Sequence, residues 1–350
     1  MCVDRGCVVK WLAGLPLWLV SLLYMGCYVP YIVITRRLAT TPAPELGRAL
    51  TGLEILPASL ILSAVWTYLF VWLAGWWKAA HLTRVGPLRL PRPTRWTALS
   101  GIGTALILFT VPLSFTFEGV SIPFMQLLMR GDLLLIAPLV DVLGRRKVRW
   151  YSWVSLVLVA IAMLVTVGER RGFQLPWLAW LTLIFYTLGY FVRLWVMTRI
   201  AKTGSTESIQ MYFVEEKLIG IPLAVVLLAL LSSFGDGKAG QQLSFGFVQV
   251  WTSSHIGAIS ALSVLLFIVS IFSVVILLDK RENSFCVPME RSASILAGVI
   301  GTFVLAGFYG SKAPTSAELL GAVLLIAAIV LLSVGPWLGG KAAVRATPTS

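Results

Sequence analysis

Ten mostly apolar stretches, each long enough to cross a bilayer as a helix, follow one another along this chain with short polar connections between them. A bilayer core of about 30 Å takes about 20 helical residues at ~1.5 Å each. The stretches run approximately over 11–35, 52–76, 97–117, 119–143, 151–168, 176–200, 208–234, 254–279, 284–309 and 315–338. The third and fourth are separated only by Phe117 and Glu118. Joined as one helix they would reach about 70 Å, more than twice the membrane thickness, so two spans are expected. Lipid excludes an open sheet edge, and ten such runs leave no room for a soluble domain.

Composition agrees. Charged residues are 12% of the chain, against about 25% in soluble domains. The formal net charge of +13 falls mostly between the apolar stretches, where it controls topology and meets anionic lipid headgroups; no nucleic-acid partner is expected. Connections 77–96 (Lys78, Arg84, Arg89, Arg92, Arg95) and 144–150 (Arg145, Arg146, Lys147, Arg149) carry basic residues and no acid. They share a side with both chain ends, which places the ends in the cytoplasm; Arg36, Arg37 and Arg48 in the first opposite connection are the exception. Arg5 and Lys10 precede the first span, which is read as retained, and tryptophans such as Trp76, Trp96, Trp150, Trp177 and Trp337 mark the span ends. Segment 235–253 reads as a plain loop in preference to a short amphipathic piece, and 339–350 as a disordered cytoplasmic tail. Cys2, Cys7, Cys27 and Cys286 form no CxxC and have no close histidine, so no metal or other cofactor is expected.

Val120-Ser-Ile-Pro-Phe-Met through Thr166-Val-Gly168 reads much like Phe285-Cys-Val-Pro-Met-Glu through Ser333-Val-Gly335, with nearly equal spacing from proline to glycine. Five spans per half is an odd number, so duplicated halves must face opposite ways through the membrane. These segments, with Glu290-Arg-Ser-Ala-Ser-Ile-Leu-Ala-Gly-Val-Ile-Gly301 and Glu318-Leu-Leu-Gly-Ala-Val-Leu-Leu-Ile-Ala-Ala328, resemble the drug/metabolite transporter superfamily: EamA-like exporters, nucleotide-sugar and triose-phosphate transporters. The resemblance implies an all-α integral membrane fold of ten transmembrane helices as two inverted five-helix repeats, 1–172 and 173–338. It also implies alternating access around a cavity faced by the fourth and ninth spans. The fifth and tenth spans resemble the family's peripheral packing or dimerisation helices, which allows a homodimer.

Charges in hydrocarbon are costly and normally face the bundle interior. Eight stand inside spans: Arg130, Asp132, Arg193, Glu215, Glu216, Lys217, Glu290 and Arg291. They balance by formal charge, so a purely structural network is one reading. In the other, they hold a substrate. Arg130, near mid-span, is the first choice for gripping a carboxylate or phosphate. Helical rise sets Arg193 level with Glu215 or Glu216, and Arg193 with Glu216 is the expected pair. Tyr186, Tyr190 and Arg193 share one helix face, and Tyr24, Tyr28 and Tyr31 approach another stripe. Glu290 and Arg291 read equally as cavity-lining or snorkelling, while Glu54 and His255 read as interfacial.

The substrate-binding set is therefore Arg130, Tyr186, Tyr190, Arg193 and Arg291. Asp132, Glu215, Glu216, Lys217 and Glu290 form the coupling or charge network. The expected function is secondary transport of a small polar or anionic metabolite, by exchange or proton coupling, in a bacterial plasma membrane. Export or flipping of an amphipathic or lipid-linked solute, and a non-catalytic channel or receptor, stay open as alternatives. Enzyme chemistry is not expected, since the chain has two histidines and no GxSxG, HExxH or phosphate-loop pattern.

Overall fold

The computed structural model describes residues 15–85, 88–114, 150–168, 175–202, 205–234, 237–281 and 283–345, with Phe117, Val120, Phe124, Met125, Leu128, Met129, Ile136, 139–140 and 142–143. Pro16, extended at φ −63° and ψ 140°, precedes the first helix, α1 (Leu17–Thr40). Proline has no N–H to leave unpaired at a helix start. The helix ends later than 35 because its basic end finds partners: Arg36 donates to the Phe117 carbonyl at 3.2 Å, and the Arg37 guanidinium lies 4.3 Å from the Tyr309 ring centre. Helix α2 (Gly52–Leu73) opens on a reciprocal cap. The Glu54 carboxylate accepts from the Thr51 N–H at 2.8 Å, and the Thr51 hydroxyl accepts from the Glu54 N–H at 3.4 Å.

The basic connection after α2 is structured. A 3₁₀ turn (Trp76–Ala79) leads into an antiparallel hairpin, β1 (Leu82–Val85) with β2 (Leu88–Pro91), in which Thr83 faces Leu90. The fold is therefore helical apart from this one small ribbon among the described residues. The helices that follow are α3 (Arg95–Ser114), α4 (Trp150–Gly168), α5 (Trp177–Ile200), α6 (Thr206–Phe234), α7 (Lys238–Val248), α8 (Ile256–Leu277), α9 (Asn283–Tyr309) and α10 (Ser316–Arg345).

One expectation is corrected here. Segment 235–253 is not a plain loop but holds α7, because Gly240, Leu243 and Gly246 give it one face to bury.

Helices α1, α2, α5, α8 and, over Phe285–Tyr309, α9 are each long and apolar enough to cross a membrane. Large apolar side chains point away from the bundle: Trp177 is 74% exposed, Leu164 71% and Phe308 81%. Water would penalise such a surface, and hydrocarbon does not. The chain is a helical, membrane-embedded protein.

Helix α3 packs on α5 and α6, and α8 packs on α1 and α2. Helix α2 also packs on α6, α4 runs along α10, and α9 contacts α1 and α10. The crossing of α3 with α5 is a backbone-to-backbone contact. A Cβ on Gly103 would lie 2.6 Å from the Gly189 carbonyl oxygen, and one on Gly189 would lie 2.6 Å from that of Gly103. Two apolar cores result. One gathers Trp76, Tyr186, Tyr190, Phe213 and, from the 124–140 stretch, Phe124, Met125, Leu128 and Met129. The other gathers Tyr24, Tyr28, Tyr31, Leu108, Leu262 and Leu266.

Candidate functional site

A cavity lies where the two cores meet. Its volume is about 60 Å³. That is room for several waters or a small ligand part. Tyr24, Tyr28 and Tyr31 of α1 form one wall, their rings 5.3 Å and 5.5 Å apart in sequence order. Opposite stand Tyr190 and Arg193 of α5, with Lys217 of α6 and Glu290 of α9. Ile107, Leu108 and Val111 of α3 and Leu266 and Val269 of α8 supply an apolar side.

The charges are organised by Glu216, which is fully buried. Its Oε1 accepts from Arg193 Nε at 2.6 Å, from the Thr104 hydroxyl at 2.5 Å and from the Tyr212 hydroxyl at 3.0 Å. Arg193 Nη2 reaches Oε2 at 3.4 Å, and Lys217 Nζ lies 3.8 Å from the same oxygen. The pair expected from helical rise is formed, and Glu215, its neighbour, points elsewhere as a turn of about 100° per residue requires. Ser100 and Tyr212 share a further hydrogen bond, so the network runs from α3 to α6.

A second group sits behind Tyr190. The Arg291 guanidinium stacks 3.9 Å from the Tyr190 ring centre and 5.9 Å from that of Tyr186, and its Nη2 lies 3.2 Å from Glu290 Oε2. Ser273 donates to the other oxygen of Glu290. Arg291 is 1% exposed and Glu290 fully buried, so neither snorkels to an interface. Stacking on two rings spreads part of the guanidinium charge over π faces that favour a cation.

Glu215 is the anchor of the hairpin rather than part of the cavity. It is fully buried and accepts from the His81 N–H at 3.0 Å, the Thr94 N–H at 3.2 Å and the Thr97 hydroxyl at 2.7 Å. His81 Nδ1 lies 2.6 Å from Oε1. Hydrogen bonds to a charged group are worth about 1.5–3 kcal/mol each. Glu215→Leu removes all four partners' common acceptor, so limited trypsin cleavage after Arg84 is expected to speed up by at least about tenfold. Unchanged digestion of that variant would show that the hairpin is held by other contacts.

Glu54 departs from its interfacial reading. It is 1% exposed, its Oε2 accepting from Arg48 Nη1 at 2.9 Å and its Oε1 from Arg48 Nη2 at 2.6 Å. That hydrogen bonding raises the Arg48 pKa above its ordinary value. His255 stands just before α8. Arg130 and Asp132 lie outside the described residues. Thr104, Tyr212, Ser273, Thr97 and His81 are participants the sequence reading passed over. Tyr212 stood one turn before Glu216 on a helix face, a usable signal. His81 had none, because it approaches α6 from a connection of more than a hundred residues earlier in sequence.

Among the solved structures similar to this chain is one with a TM-score of 0.53 and 13% identity, over 89% of this chain and 96% of the other. At that identity the likeness is one of fold, and it extends along nearly the whole chain. No protein-family model and no curated protein matches it.

Proposed function

We propose that the protein is a secondary transporter, not an enzyme, that carries a small anionic metabolite through the central cavity by alternating access. The observation that carries the reading is the composition of that cavity: tyrosine rings, a buried guanidinium and Lys217 around a space inside a membrane-embedded bundle. Among the described residues of the two charge groups, Arg193, Lys217 and Arg291 face Glu216 and Glu290, which leaves one positive charge in excess. Lys217 is the least tightly held of the three, its Nζ 3.8 Å from the shared carboxylate, so it is the charge assigned to the substrate. Arg130 keeps its place in the proposal as a second anion contact, with Asp132 as a coupling candidate.

The same proposal takes the fold as ten spans in two inverted five-helix repeats, of the drug/metabolite transporter type. The packing supports it. Exchanging each of the first five spans with its counterpart in the last five turns the α3–α5 contact into α8–α1 and the α3–α6 contact into α8–α2, and returns α2–α6 and α4–α10 to themselves. Each of those contacts is present. Cytoplasmic chain ends, a bacterial plasma membrane and pairing through α4 and α10 complete the proposal.

The apolar side of the cavity, Leu108, Val111, Leu266 and Val269, favours a second reading in which the anion is amphipathic or lipid-linked. The test is counterflow in proteoliposomes with labelled hydroxycarboxylates, sugar phosphates, acidic amino acids and a lysophospholipid. Saturable counterflow of one class, reduced at least about tenfold in Lys217→Met and in Arg130→Gln with both variants still monodisperse, is the expected result. Flux that never saturates points to a channel, and full activity of Lys217→Met removes its assigned role.

A further inference from the structure

A second recess, of about 830 Å³, opens at the end of the bundle away from the hairpin. Its walls are Ala39 of α1, the 48–54 segment that leads into α2, Leu113 at the end of α3 with Phe117 past it, Leu178 of α5, and one face of α7. Helix α7 supplies Lys238, Gln241, Gln242 and Phe245, with Gln249 just past its end. Steps of three, one, three and four residues keep these on a single helical face. The opposite face is fixed. Gly240, Leu243 and Gly246 are buried, and a Cβ on Gly246 would fall 2.5 Å from the Glu54 carbonyl oxygen. The helix is thus seated on α2 by direct backbone contact, and it cannot turn its polar stripe away from the recess.

Lys238, Gln241 and Gln249 are exposed and Gln242 is half-buried, so the polar stripe meets solvent through the open side of the recess. The side chains of Lys238, Gln241, Gln242 and Gln249 make no hydrogen bond or ion pair with other described residues. Arg48, the other cation in the wall, is already neutralised by Glu54 and lies 5.8 Å from the Phe245 ring centre.

We infer that this recess is a second binding site, for a small hydroxylated anion. The ammonium of Lys238 selects negative charge, and three primary amides, each both donor and acceptor, match hydroxyl groups. The volume lies within the usual range for small-molecule sites, about 300–1,000 Å³. Val111 lines the central cavity and Leu113 lines the recess, two residues apart on α3 and so on roughly opposite sides of that helix. Recognition at α7 therefore does not depend on the central cavity's own charges.

The test is calorimetric titration of the full-length protein in nanodiscs with D-glucuronate, D-glucose and acetate as probes. Saturable glucuronate binding is expected to persist in Lys217→Met. It is expected to weaken at least about tenfold in Lys238→Gln/Gln241→Leu, and to be at least about tenfold tighter than glucose or acetate binding. Lys238→Gln alone, a surface change that leaves packing untouched, should remove the preference for glucuronate over glucose. Binding lost in Lys217→Met but intact in the α7 variants overturns the site, as does native protein that binds none of the probes. Failure of the transport reading would look different: no counterflow, with glucuronate binding at α7 intact.

Discussion

Glu216→Leu is expected to destabilise the protein by about 3–5 kcal/mol, the range seen when one partner of a buried ion pair is removed. Arg193 is 4% exposed and Lys217 3%, so neither can recover by turning to water, and Thr104 and Tyr212 lose their acceptor at the same time. Counterflow should be lost as well, because the groups that shape the cavity floor lose their common anchor. Arg193→Met/Glu216→Leu separates the two effects. Replacing a buried pair by apolar groups of similar size is often neutral for stability. The double variant should therefore regain most of the lost stability, measured by thermal unfolding in detergent, while remaining inactive. A single variant as stable as the native protein would mean that Arg193 finds another acceptor. A double variant that transports would mean that the buried pair serves only to hold helices together.

Gly189→Leu is expected to cost at least about 3 kcal/mol, the upper part of the range for overpacking, because the obstacle is backbone and not the tip of a flexible side chain. The new Cβ would meet the Gly103 carbonyl oxygen at 2.6 Å and the Leu106 Cβ at 3.0 Å. Helix α5 must then move off α3, and Arg193, one turn further along, is carried away from Glu216. Gly307→Ala is the matched control, since nothing lies within 4 Å of a Cβ there. The control should run as a single peak in size-exclusion chromatography with an unchanged melting temperature, and Gly189→Leu should show aggregation or a lower one. Native-like behaviour of Gly189→Leu would show that the helices tolerate a wider crossing.

The five helices long and apolar enough to cross a membrane were legible in the sequence because lipid demands a long apolar run for each crossing. The Arg193–Glu216 pair was legible for a related reason: helical rise converts sequence position into depth, and two charges at equal depth in hydrocarbon have few other partners. What escaped was set by contacts that no periodicity records. Thr104 looks like a neutral member of an apolar helix until Glu216 is brought beside it. Glu54 looked interfacial because its position is near a span end, but Arg48 folds back over it from only six residues away. Helix α7 was hidden by glycines that ordinarily break helices. At Gly246 the missing side chain is what allows the helix to sit against α2. The hairpin was hidden by the charge count, which gives a connection its side of the membrane and nothing about its backbone.

Glu215 and Glu216 are neighbours on α6, one held by the hairpin and its flanks and the other by Arg193. A helix is stiff over one residue, so a torque applied at either carboxylate is delivered to the other with little loss. A dye attached at exposed position 84 would therefore act as a gauge needle outside the bundle, deflected by events at a cavity it never touches.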